Sequence, residues 1–210
     1  MTNLFKKPLP LLSAYLMSIG LLSAQTYRMD FEKPSPYTWQ AVSEWAIVTD
    51  PQAPSPTHVL DMTKNTQGFA GFPGGFNCYF TKGIAFKDGT ITVAFRANAG
   101  RMDQGGGIMW RVQDAHNYYV ARFNPLEDNF RLYTVLGGNR SEIASASVHL
   151  ASGWHTMTIT QSGDRFTGAL DGRILLRHAD HALPKSGGIG VWTKSDAETS
   201  FDDLTANTKP

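Results

Sequence analysis

The stretch "GGGIMWRVQDAHNYYVARFNPLEDNFRLYTV" (Gly105–Val135) decides how this chain folds, because it reads as three consecutive strands separated by two short turns. Ile108, Trp110 and Val112 alternate with Met109, Arg111 and Gln113, the period of two that marks a strand with one buried face. The second run sets Tyr119, Ala121 and Phe123 against Tyr118, Val120, Arg122 and Asn124. The third sets Phe130 and Leu132 against Arg131 and Tyr133. Simple hairpin register then places Arg111, Arg122 and Arg131 on one exposed sheet face among tyrosines. Guanidinium forks bind polar groups bidentately and aromatic rings stack on apolar faces, so this surface has the chemistry to hold a sugar. Arginines on a sheet face also cover neighbouring residues with their stems, which is the plainer reading.

The same alternation continues outward. Ile91, Val93 and Phe95 alternate with Thr92, Ala94 and Arg96, so Arg96 extends the expected arginine row. Further strands are expected at Tyr27–Phe31, Trp45–Thr49, His58–Met62, Asn77–Thr81, Thr90–Ala97, Glu142–Ala146, Trp154–Gln161, Arg165–Leu170, Ile174–Arg177, Gly188–Thr193 and Thr199–Ala206. Turn chemistry separates them at Gly137-Gly138-Asn139, Ser162-Gly163-Asp164 and Asp171-Gly172. No helical period follows the first two dozen residues, so the fold class is an all-β antiparallel sandwich. Prolines 34, 36, 51, 54 and 56 make the amino-terminal third a region of edges and loops. "GFAGFPGGFNCYF" (Gly68–Phe80) reads as a tight crossing with buried phenylalanines, or alternatively as a ligand-facing loop.

The chain begins with Lys6 and Lys7, an apolar run from Leu9 to Leu22 and small residues at Ser23 and Ala24. That order is a secretory signal peptide over residues 1–24, leaving residues 25–210 as one β-domain. Cleavage leaves 17 basic against 18 acidic residues and a formal charge of −1. Such a balance excludes a nucleic-acid partner held by phosphate neutralisation, and no later segment is apolar for long enough to span a membrane. The expected location is outside the cytoplasm, periplasmic or extracellular. Cys78 is the single cysteine, so no internal disulfide forms and the core alone must stabilise the domain.

Catalytic and metal motifs are sparse. Glu127-Asp128, Asp196 with Glu198, and Asp202-Asp203 read as loop carboxylates and turn caps rather than a glycosidase pair. His178 and His181 lack both a helix and a third ligand for zinc, and His116 sits in a turn, where a general base could be placed. A structural calcium ion is the one cofactor for which the sequence offers ligands. Asp30 near the first strand and Asp202 or Asp203 in the last supply oxygen ligands if the terminal strands are neighbours.

With "GWHTMTITQSGDRFTGALDGRILL" (Gly153–Leu176) and "GGIGVWTKSDAETSFDDL" (Gly187–Leu204) added to the opening stretch, the chain resembles the concanavalin A-like jelly-roll domains of the 3-keto-disaccharide hydrolase family (DUF1080), which are related to family-sixteen glycoside hydrolase-like and laminin-G-like domains. The resemblance covers roughly residues 27–206. It implies two stacked, curved antiparallel sheets of the lectin and glucanase kind, with carbohydrate bound on the concave one. The E-x-D-x-E strand of family-sixteen enzymes is missing, and no catalytic residue is carried over. The expectation is an exported carbohydrate-active domain that recognises a saccharide or glycoside through Arg96, Arg111, Tyr118, Arg122, Arg131, Tyr133 and Trp192. Hydrolysis of keto-glycosides is one outcome of that recognition, and a non-catalytic binding or adhesion module of the cell envelope is the alternative.

Overall fold

A computed structural model describes residues 24–66 and 75–209. The expected signal peptide and most of the glycine-rich half of Gly68–Phe80 lie outside the described residues. Within them the chain forms fifteen strands: β1 Thr26–Met29, β2 Gln40–Val42, β3 Glu44–Thr49, β4 His58–Lys64, β5 Phe76–Phe86, β6 Gly89–Ala99, β7 Gly106–Asp114 and β8 Asn117–Asn124 come first. They are followed by β9 Asn129–Leu136, β10 Asn139–Ser147, β11 His155–Ser162, β12 Arg165–Leu170, β13 Arg173–Ala179, β14 Gly187–Lys194 and β15 Glu198–Thr208. Only β2, three residues in the proline-rich third, has no counterpart in the sequence reading.

The strands make two antiparallel sheets. One runs β13-β12-β11-β6-β15-β4-β3 with β1 added beside β15, and the other runs β10-β9-β8-β7-β14-β5-β2. Consecutive β6 and β7 therefore lie in different sheets, which is how a sandwich closes over a shared core. Ile91, Val93 and Phe95 of β6 meet Ile108 and Trp110 of β7, Tyr119, Ala121 and Phe123 of β8, and Phe130 and Leu132 of β9 in that core. Trp110 stacks on Tyr119 at 5.3 Å and donates its indole N–H across the sandwich to Gln161 Oε1 at 2.8 Å. The buried indole is thereby satisfied rather than left with an unmade hydrogen bond, which would cost about 1–3 kcal/mol.

The glycine triplet that leads into β7 and forms its first two residues has a steric reason. A Cβ on Gly107 would stand 2.0 Å from the Ala121 carbonyl oxygen and 2.8 Å from the Met157 sulfur, so only glycine lets these strands approach.

A second apolar cluster lies on the outer face of the seven-stranded sheet. Cys78, Phe80, Met109, Val112, Tyr118, Val120, Tyr133, Val135 and Trp192 form it, and all are buried. On β8 the split is clean, since Tyr119, Ala121 and Phe123 belong to the inner core while Tyr118 and Val120 belong to the outer one.

Candidate functional site

Tyr118, Arg122, Arg131, Tyr133 and Trp192 share the outer face of the seven-stranded sheet, as alternation along β8, β9 and β14 requires. Arg122 and Arg131 are direct cross-strand partners. Arg111 does not join them. The β7–β8 ladder loses its register between Trp110 and Asp114, and Arg111 takes a φ of 48°. This bulge turns the strand by one residue, so that Val112 joins the outer cluster although simple alternation puts it inside. Arg111 is swung to the end of the sandwich and is 2% exposed. Its Nε donates to the Lys87 carbonyl at 3.0 Å, Nη1 to the Leu183 carbonyl at 3.0 Å and Nη2 to the Gly163 carbonyl at 2.7 Å, with Asp88 3.4 Å away. Arg111 is a clamp on three loops, not part of a ligand-facing row.

Arg96 is likewise displaced from the expected row, because β6 belongs to the opposite sheet. There it pairs with Asp50 at 2.7 Å and lies 5.0 Å over the Trp154 ring.

Arg122 is 2% exposed and donates to Asp103 Oδ1 at 2.6 Å, while Lys194 Nζ reaches Asp103 Oδ2 at 2.7 Å. The loop carrying Asp103 is fixed in turn by Asp196, which accepts the backbone N–H groups of Arg101, Met102 and Asp103 at 2.7–3.1 Å. Tyr118 and Trp192 form the floor: the indole N–H of Trp192 donates to Tyr118 Oη at 3.0 Å, and Phe76 packs on Trp192 at 5.2 Å.

The accessible part of this face is the side toward β10. Arg131, 31% exposed, is held by Glu127 at 3.2 Å and Glu142 at 3.1 Å, and each of these carboxylates is 44% exposed. The Asn129 amide, then the guanidinium groups of Arg122 and Arg131, hold the Glu127 carboxyl below the usual carboxylate range against an opposing effect of burial. Arg140 lies with its guanidinium 4.3 Å over the Tyr133 ring and within 6 Å of the Phe76 and Trp192 rings. Its Nη1 has no hydrogen-bond partner, and among the described residues no carboxylate lies in ion-pair reach.

Asp103, Arg140, Glu142, Lys194 and Phe76 were not among the residues singled out from sequence, and Glu127 was read there as a loop carboxylate rather than as part of this face. Arg140 and Glu142 were legible in principle, since counting outward from the Gly137-Gly138 turn sets them opposite Val135 and Tyr133. The expected strand began two residues too late to include Arg140. Asp103 and Lys194 had no local signal, because their partners are 19 and 91 positions away.

The terminal strands β1 and β15 are neighbours as expected, yet the oxygens of Asp202 and Asp203 at the end of that ladder face donors. Asp202 is buried and accepts the N–H groups of Ser55 at 2.8 Å and Asp203 at 2.7 Å. Asp203, at a φ of 48°, pairs with Arg28 at 2.8 Å, while Asp30 accepts the N–H of Glu32 at 3.3 Å. This donor-satisfied set is not the oxygen cage that calcium needs. Among the described residues no group of three or more His, Cys, Asp or Glu is placed to hold a metal.

Two antiparallel sheets with one decorated outer face define a jelly-roll sandwich of the lectin and glucanase class. Carbohydrate-binding module CBM66 from Bacillus subtilis superposes with a TM-score of 0.65 at 19% identity, over 81% of this chain and 97% of that one. A Bacillus licheniformis β-glucanase superposes with a TM-score of 0.58 at 10% identity, over 88% and 98%. These likenesses show the fold. The profile of the galactocerebrosidase C-terminal lectin domain matches residues 74–209, and the chain belongs to that family. Galactocerebrosidase of Danio rerio is 29% identical over 106 residues, which are 50% of this chain and 15% of that enzyme. The chain therefore spans a small part of the length of that curated relative. These comparisons show the jelly-roll fold that the 3-keto-disaccharide hydrolase resemblance implied, and not that family in particular. Among the described residues no helix is long and apolar enough to cross a membrane.

Proposed function

We propose that this chain is an exported saccharide-recognition domain whose ligand lies on the outer face of the seven-stranded sheet, along the accessible edge formed by Arg131, Glu127 and Glu142 and bordered by Arg140 and the half-buried ring of Phe76. One observation carries this reading. Arg131 is shared between two half-exposed glutamates beside an arginine that lies on a tyrosine ring and has an unmet donor. Sugars combine hydroxyl edges, which suit guanidinium donors and carboxylate acceptors, with C–H faces that stack on aromatic rings. Membership of a lectin-domain family and the likeness to a carbohydrate-binding module support the ligand class. A glycan ligand also fits a protein that meets polysaccharide outside the cell.

Recognition without turnover is favoured by the state of Glu127. A carboxyl held ionised serves as an acceptor for sugar hydroxyls and is a poor proton donor to a departing glycosidic oxygen. Hydrolysis of keto-glycosides is the finer alternative, and incubation of the pure protein with 3-keto-glycosides tests it: released sugar would establish turnover.

Calorimetric titration with galactotetraose, cellotetraose and laminaritetraose tests recognition itself. Arg131→Ala and Arg140→Ala are expected to weaken binding at least about tenfold, the effect of losing one charge-assisted contact. Unchanged affinity in both variants would remove this face from the site.

A further inference from the structure

A further cleft lies away from that face and is used by nothing above. It encloses about 620 Å³ at the edge of the sandwich, where residues 28–39 fold against β3 and β5. Tyr37, Trp39 and Tyr79 line it, with Phe31, Arg28 and Lys33. Trp39 and Tyr79 are stacked at 4.9 Å with their planes 11° apart, and the Trp39 indole N–H is fixed on Ser35 Oγ at 2.8 Å. The aromatic wall is thus rigid before any ligand arrives. Lys33 is exposed and makes no ion pair among the described residues, and Asp30 adds an acceptor at the rim.

Arg28 closes one end of this cleft and also borders a second one of about 470 Å³. That neighbour lies on the outer face of the eight-stranded sheet, over Thr92, Thr156 and Thr205, with Trp154, His155 and Asp171 along its wall. The two clefts therefore continue past a single arginine, from Trp39 at one end to Trp154 at the other. The first lies at the sandwich edge and the second on the face opposite to Arg131.

We propose that this cleft is a second saccharide site, taking one sugar ring against Tyr37 and Trp39 while the rest of an oligosaccharide runs past Arg28 toward Trp154. The volume falls in the range of small-ligand clefts, and the mixture of rigid aromatic faces with a few cationic and carboxylate groups is what a ring with hydroxyl edges requires. The consequence is a domain that holds two glycan segments on opposite faces and so cross-links them. The inference takes only its ligand class from the reading of the Arg131 face.

Fluorine NMR of the chain labelled with 5-fluorotryptophan separates the two sites, with signals assigned through Trp39→Phe and Trp192→Phe variants. Titration with galactotetraose, cellotetraose or laminaritetraose is expected to move the Trp39 resonance, and to move it equally in Arg131→Ala. Tyr37→Ala should weaken that response about tenfold. Lys33→Glu, at an exposed position with no ion pair among the described residues, should weaken it as well. A Trp39 resonance that ignores all three probes, or whose shift disappears in Arg131→Ala, overturns the second site. A Trp39 response without any at Trp192 would sink the reading of the Arg131 face and leave this one standing.

Discussion

Arg122 and Arg131 stand directly opposite each other in the β8–β9 ladder, two like charges on one sheet face. Such a pair repels, and Glu127 from the intervening turn resolves it by approaching Arg122 at 3.7 Å and Arg131 at 3.2 Å. Asp103 and Glu142 then take the remaining side of each guanidinium.

Removing the shared carboxylate should expose that repulsion. Glu127→Ala is expected to lower stability by about 1 kcal/mol, since the carboxylate is partly solvated and its pairs are correspondingly weak. Arg131→Ala in the same background should recover part of the loss, a coupling that urea denaturation of the double-mutant cycle would reveal. Additive losses would mean that Glu127 and Arg131 are not coupled, and would remove Glu127 as the group that relieves the arginine pair.

Arg111 supplies the opposite case, a buried arginine whose role is mechanical. Arg111→Ala leaves the Lys87, Leu183 and Gly163 carbonyls without their donor, and a loss of about 3 kcal/mol or more is expected. Saccharide affinity, measured by calorimetry on the folded fraction, should be unaffected. A variant of normal stability and impaired binding would return Arg111 to the site.

Asp202 should make stability depend on pH. Burial, with the nearby charges of Asp203 and Glu32, pushes its carboxyl up from 3.8 to about 6, against the pull of the Ser55 and Asp203 N–H groups. The folded state then holds a proton that the unfolded chain has lost, so stability falls as pH rises from 3.8 to about 6. This contribution is up to about 3 kcal/mol and is fully present only below 3.8. Thermal melts across this window check the slope, and Asp202→Asn should flatten it. Calcium added at neutral pH is expected to leave the midpoint unchanged; a rise would make Asp202 a ligand after all.

Cys78 should be inert in the native protein. Its thiol is buried among Phe80, Tyr118 and Trp192 and is pushed up to about 12 by burial, so almost no thiolate forms near neutral pH. Reaction with a disulfide reagent is expected only after denaturation. Rapid labelling of the folded chain would show that the outer cluster opens readily.

Much of the architecture was legible because strand alternation is a local property. Trp110, Tyr119 and Phe130 fall on the inner face as their spacing requires, and Asp171-Gly172 turns where its chemistry demands. What failed at Arg111 was the parity count across a bulge. Nothing in "MWRVQD" announces that one residue will take a φ of 48°, because the stabilisation comes from carbonyls on three distant loops. Arg96 failed for another reason: alternation gives the face of a strand and not the sheet to which it belongs.

The order of residues alone determined that this chain makes an antiparallel β-sandwich and, outside the β7 bulge, which side chains each strand turns inward, since both follow from a period of two and from turn residues. Only the tertiary structure decided which arginines meet. That outcome depends on sheet assignment, on one bulge and on carboxylates such as Asp103 brought in from elsewhere, all of which are settled by long-range packing and charge pairing rather than by neighbours in the chain.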